Sequence, residues 1–347
     1  MGKVAAETCG DRRRPEASGS MRPLHTDEGD PLKTIVMTGG TSGLGEVAAR
    51  QIARAPDTRL VLGARRGIHG ETQSTIETLP LDLTRLTSVR EFAQRVILGL
   101  GDSSINGLVL NAGIQFPNID QRTEEGFEAT FGVNHLAHFL LLQLLLPRLA
   151  QGARVVITTS DTHDPKANPM GPKELDADLL AYPPARSRPT GFSAGFRAYA
   201  SSKLCDLLMA RGLATSEEAK AKRFTVIAYN PGLTIGTSLF RAWPLWARLA
   251  MGTVGLIRPM ARLATVGQAG QNLADLALGQ IAPPTGLLYA SLVKRQLTWP
   301  DPSELARQDE VMNGLWRVSA RMVGLSSPPE PIVIRPLTDR PTGTTLL

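Results

Sequence analysis

Residues 34–53, "TIVMTGGTSGLGEVAARQIA", pass from a short apolar strand through a glycine-rich turn straight into a helix. No other stretch limits the possible folds as much. A strand that is apolar along its whole length has to be covered on both faces, which is the habit of parallel sheets wrapped by helices. Glycines in the turn let the backbone approach a pyrophosphate closely, and the helix start supplies N–H groups and the positive end of a dipole. Gly39, Gly43 and Gly45 follow a T-G-x-x-x-G-x-G spacing, one residue wider between its first glycines than the common dinucleotide fingerprint. The segment Thr38, Gly39, Thr41, Ser42, Gly43, Leu44 and Gly45 is therefore the expected phosphate cradle.

Further apolar runs recur between helical stretches: "RLVLGA" (59–64), "GLVLNA" (107–112), "ARVVITTS" (153–160) and "FTVIAYN" (224–230). Strands alternating with helices predict a doubly wound, mostly parallel α/β sheet of the Rossmann type with helices on both faces. The connection from 64 to "LPLDL" (79–83) is too short for a full crossover helix and is expected to be abbreviated. No repeat and no central linker divides the chain, so one catalytic domain over 31–326 is predicted. It is flanked by a disordered leader, 1–30, and a Pro-rich irregular tail, 327–347.

The end of the second strand is where the adenosine ribose of a dinucleotide would lie. An acid there suits NAD, whereas arginine accommodates the 2′-phosphate of NADP. Arg65 and Arg66 in "LVLGARR" predict NADP(H).

Composition excludes several classes. Two cysteines, Cys9 and Cys205, provide neither a disulfide framework nor a metal cluster, and a reducing, cytoplasmic setting is expected. The net charge of +6 is scattered and lacks interleaved aromatics, so no nucleic-acid partner is predicted. "HFLLLQLLLPRLA" (138–150) is too short to span a bilayer and reads as a buried helix. The segment 243–266, interrupted by Arg248, Arg258 and Arg262, reads as helices over a substrate pocket or as an interfacial helix. No transmembrane segment is predicted.

"AYASSKLCDLL" (198–208) sets Tyr199 four residues before Lys203, on one helical face. Taken alone, the pair is compatible with a catalytic couple or with two unrelated side chains. The surrounding motifs decide between them: "TGGTSGLG", "LDL" with Asp82, "NAG" at Asn111, Ala112 and Gly113, "VNHLAHFLL" with Asn134, "TTSDTH" with Ser160, "YASSK", and "NPG" at Asn230 to Gly232. In this order they resemble the short-chain dehydrogenase/reductase family over nearly the whole ordered chain. "PGLTIGTSLFR", "TVGQAGQNLADLAL" and "NGLWRVS" resemble its retinol dehydrogenase and protochlorophyllide reductase-like branch.

The resemblance implies an NADP(H)-dependent enzyme of bulky apolar substrates. Tyr199 would be the general acid/base, and Lys203 the cation that lowers its pKa and holds the nicotinamide ribose. Ser160 would hold the substrate oxygen, and Asn134 a water linking the lysine to solvent. Asp82 and Leu83 would meet the adenine, although Asp82 also reads as a helix cap. Asn111 to Gly113 would pass along the cofactor by main chain, Pro231 and Gly232 would shape the turn beneath the nicotinamide, and Thr237 would meet its amide. His163 reads as structural.

Two alternatives stay open. One is reduction of a C=C bond as in protochlorophyllide reductases, which Leu233 disfavours because that group has a proton-donating cysteine after the Pro-Gly. The other is a catalytically silent NADP-binding sensor or scaffold. Substrate contacts are expected from 161–198 and 233–266. The family also pairs through the helices holding Asn134 and Tyr199, so a monomer or a homodimer is expected.

Overall fold

A computed structural model of the chain describes residues 32–65, 75–184, 192–232, 234 and 264–325. The predicted leader and tail, the connection at 66–74 with Arg66, Leu233, Thr237, and the helices expected over 243–263 lie outside the described residues.

Strand β1 (Lys33–Thr38) is buried from Thr34 onward, as its unbroken apolar pattern requires. Helix α1 (Gly43–Arg54) follows, then β2 (Thr58–Ala64), β3 (Ile76–Pro80), α2 (Leu86–Leu100) and β4 (Ile105–Leu110). The chain next forms one apolar rod: a helical turn α3 (Ala129–Phe131), a π-turn (Gly132–Leu136) and α4 (Ala137–Leu145). Strand β5 (Leu149–Thr158) leads through a short α5 (Ala177–Ala181) to the long α6 (Phe192–Thr215). After α7 (Glu217–Ala221) come β6 (Thr225–Asn230), α8 (Val266–Leu278), β7 (Tyr289–Val293), β8 (Gln296–Thr298) and α9 (Asp309–Met322).

The eight strands form one sheet in the order β3-β2-β1-β4-β5-β6-β7-β8, parallel throughout except for the final β7–β8 pair. This is the expected Rossmann architecture. The order reverses between β1 and β4, and ligands of such sheets bind in the crevice beyond the strand ends at that point. Gly39 and Asn111 to Gly113, which follow these two strands, therefore face one another there.

Three boundaries differ from expectation. Strand β3 begins at Ile76 and closes at Pro80, so Asp82 stands in the loop after it instead of inside the predicted 79–83 run. Strand β5 ends at Thr158, and Ser160 caps a 3₁₀ turn over Asp161–His163. The pair β7–β8 was not foreseen: its alternation is too short to stand out from the turns around it.

Helices α2, α4, α6 and α9 share the hydrophobic core on one face of the sheet. Helices α1 and α8 cover the other. The continuous helix Ala129–Arg148 has 20 residues, longer than the run singled out in the sequence, and 83% of its apolar window is buried. Length and composition would let it cross a membrane, but here it is a core helix. Trp316 of α9 packs edge-on against Phe139 of α4, with ring centroids 5.0 Å apart. It also lies so close to Gly212 of α6 that a Cβ there would stand 2.6 Å from the indole, so α9 is seated directly on α4 and α6.

Candidate active site

The crevice at the β1/β4 switch is built by close backbone approach. Gly39 has φ +70°, and a Cβ on it would come within 2.6 Å of the Ala112 backbone. A Cβ on Gly45 would lie 1.9 Å from the Gly39 carbonyl oxygen. Ser42 stands at the N-cap of α1 in extended conformation, where the first turn of the helix begins beside the crevice. Thr41 is exposed beside it.

Two residues predicted as cofactor contacts, Thr38 and Asn111, use their side chains to fix the crevice from below. The buried Thr38 hydroxyl accepts the Asn111 and Ala112 N–H groups at 3.1 and 3.2 Å and bonds the His138 ring at 2.9 Å. The Asn111 amide donates to the Gly39 carbonyl at 2.9 Å and accepts from Thr158 at 3.0 Å, tying three strand ends together. Arg65 is exposed immediately after β2. One Asp82 oxygen accepts from the Thr84 N–H and hydroxyl, at 3.0 and 2.8 Å, as in a cap for the chain entering α2, and Leu83 packs on the core. Gly232, at φ +69°, donates its N–H to Asn230 at 3.0 Å, which shapes the turn after Pro231.

The predicted catalytic residues converge from three elements. Tyr199 and Lys203 lie on α6, both nearly inaccessible, with the ammonium 5.8 Å from the phenol ring centroid. Ser160, two residues past β5, lies near enough to the Tyr199 phenol to favour its ionised form. His163 donates Nδ1–H to the Ser160 carbonyl at 2.6 Å and is itself buried, so it braces this turn in keeping with a structural reading. Asn134, in the π-turn, brackets the Ile114 backbone, accepting its N–H at 2.8 Å and donating to its carbonyl at 3.0 Å. Its amide also donates to Ser202 at 3.0 Å. Gly113 completes the ring: a Cβ there would lie 3.6 Å from the Asn134 oxygen and 3.7 Å from Lys203 Nζ.

Electrostatics correct one expectation. Burial raises the Tyr199 phenol above its ordinary value and outweighs the downward pull of Lys203 and Ser160, while Asp206 and Asp161 add to the rise. The lysine does pull the phenol down, as expected, but burial is the larger effect, and Asp206 offsets part of that pull. Lys203 Nζ donates to Asp206 at 2.9 Å and to the Thr158 carbonyl at 2.9 Å. Asp206 is a site residue that motif reasoning passed over. The available signal was a lone acid within the apolar run "LCDLLMA", three residues after the lysine and thus on its face of the helix. Burial works against the Lys203 ammonium, but Asp206 and Tyr199 more than offset it, so it stays charged.

Residues 33–169 match the short chain dehydrogenase family. The chain is 33% identical over 308 residues to dehydrogenase/reductase SDR family member 13 of Bos taurus, covering 84% of this chain and 74% of that protein. Human retinol dehydrogenase 13 is 31% identical over 313 residues, 86% of either chain. A solved structure of an uncharacterised protein from Mycobacterium paratuberculosis superposes with a TM-score of 0.61 at 27% identity, over 86% of this chain and 96% of that one. Relatives of this closeness and extent, on a switch-point sheet with this motif series in order, place the chain in the short-chain dehydrogenase/reductase family, in its retinol dehydrogenase-like branch.

Proposed function

We propose that the protein is an NADP(H)-dependent oxidoreductase acting on a carbonyl or alcohol of a bulky apolar molecule, with Tyr199 as general acid/base. The observation that carries this reading is the convergence of Ser160, Tyr199 and Lys203 beside a crevice in which Gly39 and Gly45 admit no side chain. That crevice fits a dinucleotide: close backbone at Gly39 and Gly45, a helix start for the pyrophosphate and Arg65 where a 2′-phosphate would lie. When bound, the nicotinamide supplies or accepts hydride.

The protein's part is proton transfer and charge placement. Tyr199, held in its phenol form at neutral pH, donates its proton to the oxygen that gains negative charge as a carbonyl is reduced. Ser160 donates a hydrogen bond to the same oxygen and orients it. Lys203, fixed by Thr158 and Asp206, stands beneath the tyrosine and within reach of a ribose at Gly113. Names of relatives such as retinol dehydrogenase 13 support an apolar substrate.

Steady-state kinetics over a panel of apolar carbonyls and alcohols tests the assignment. Tyr199→Phe is expected to fold, to bind cofactor and to lose at least about two orders of magnitude in turnover, the usual worth of general acid catalysis. Lys203→Met should raise the apparent cofactor constant as well as slow the chemistry. Near-normal turnover by folded Tyr199→Phe would overturn the mechanism. Cofactor binding without turnover on any member of the panel would favour the silent sensor.

A further inference from the structure

We infer that Asp206 is a charge-balancing residue: paired with Lys203 inside α6 at 2.9 Å, it offsets part of the ammonium's charge at Tyr199 and so biases the site toward carbonyl reduction. The inference rests on the reading of Tyr199 as general acid/base.

A single buried ammonium beneath a phenol favours the phenolate, the form that accepts a proton from an alcohol. Here the ammonium touches a carboxylate at 2.9 Å, and the two side chains are only 4% and 1% exposed. Tyr199 therefore faces a neutral pair whose field falls off faster than that of a lone charge. The other groups around the pair do not restore the missing positive charge. From the π-turn, His135 places Nδ1 4.0 Å from the second Asp206 oxygen, but burial presses its pKa down to about 3. From α4, His138 feels the Lys203 charge, and burial takes its pKa to about 4. Beyond the end of β5, Ser160 favours the ionised phenol and Asp161 adds negative charge. Both histidines are thus neutral at pH 7. Burial pushes the Asp206 carboxyl up to about 6 against the pull of Lys203, so it is ionised there.

Asp206 is buried and bonded to Lys203, so it acts through the lysine. Its second oxygen and His135 Nδ1 are both buried without a hydrogen-bond partner. An acid in this position compensates the buried Lys203 ammonium, whose charge would otherwise be unpaired. A role in the charge of the site accounts for it.

Titration of tyrosinate absorbance on the full-length protein tests this without a substrate. The chain has four tyrosines, and subtracting the Tyr199→Phe curve isolates the one of interest. Wild type should ionise Tyr199 above the ordinary phenol range of about 10. Asp206→Asn, which keeps the shape and removes the charge, should move that midpoint downward, with circular dichroism confirming the fold at each pH. With a carbonyl and alcohol pair from the active panel, the rising limb of kcat for oxidation should move to lower pH in the same variant. A Tyr199 midpoint at or below the ordinary value in wild type would overturn the inference even if Asp206→Asn did not fold. A folded variant whose midpoint is unmoved or raised would overturn it as well. Failure of the oxidoreductase reading would appear in turnover, whereas failure of this inference appears in the absorbance.

Discussion

Arg65 is a single exposed residue at a strand end, yet the proposed preference for NADP(H) rests on it and on its neighbour in sequence, Arg66. A guanidinium grips a phosphate with two parallel charge-assisted bonds, while a bare 2′-hydroxyl offers it little. Arg65→Ala is therefore predicted to weaken NADPH binding by roughly tenfold or more, the scale of a hydrogen bond to a charged group, and to leave NADH binding nearly unchanged. Fluorescence titration of both cofactors checks it, and wild type binding NADH as tightly as NADPH would remove the basis for the assignment. At this scale the sequence was most informative where a chemical type recurs at fixed spacing. Tyr199 and Lys203 stood out by their helical spacing, but their roles and those of Ser160 and Asn134 came from the family resemblance; in the structure the four lie together. Asp206 could not be read from either, because an acid in an apolar helix has meaning only once the helix has a facing lysine, a buried side and a neighbour such as His135. Nor did the sequence indicate that Thr38 and Asn111 would use their side chains to hold the crevice together instead of turning them toward it.

The strands of the parallel sheet were legible as elements because burial on both faces leaves a continuous apolar signature. The antiparallel β7–β8 extension, short and half exposed, leaves none. The π-turn over Gly132–Leu136 was invisible too, since it depends on a shift of backbone pairing and not on composition. That turn carries Asn134 and His135 and directs the Asn134 carbonyl to His138 at 2.9 Å. Both rings are buried and hydrogen-bonded to hydroxyls, His138 to Thr38 at 2.9 Å and His135 to Ser319 at 2.8 Å. Their folded-state pKa values, about 4 and about 3, lie below the unfolded value near 6.5. As pH falls below 6.5 the unfolded chain takes up protons that the folded rings refuse, so this contribution to stability shrinks toward pH 4. Asp206 works in the opposite sense, since its raised pKa lets the folded state bind a proton first. The element's own share is thus read by difference: His138→Gln should lose about 1 kcal/mol less per pH unit than wild type between 6.5 and 4. Thermal melts over that range measure it, and parallel Tm curves for the two proteins would contradict it.

At the scale of the whole molecule, the position of α9 bears on assembly. The family resemblance implies pairing through the helices that hold the tyrosine and the asparagine, but here α9 lies on α4 and α6 with Trp316 wedged against Phe139 and Gly212. The stretch "NGLWRVS" was legible as a family resemblance, yet nothing in its composition told which surface it would cover. We predict that the protein sediments as a monomer near its mass of 37.3 kDa, because that pairing face is occupied by its own chain. A concentration-independent dimer in analytical ultracentrifugation would contradict this.

The two borders of the sheet have a consequence of a different kind. Among the described residues, one border is β3, which ends on Pro80 and so lacks a backbone donor there, and carries Glu77 paired to Arg59. The other is β8, only three residues long and antiparallel to the rest. An exposed, long and apolar border strand is a template onto which a foreign chain can polymerise. These two instead offer a stranger few unsatisfied backbone groups and a polar margin, so the sheet is self-terminating, and its growth stops within its own chain.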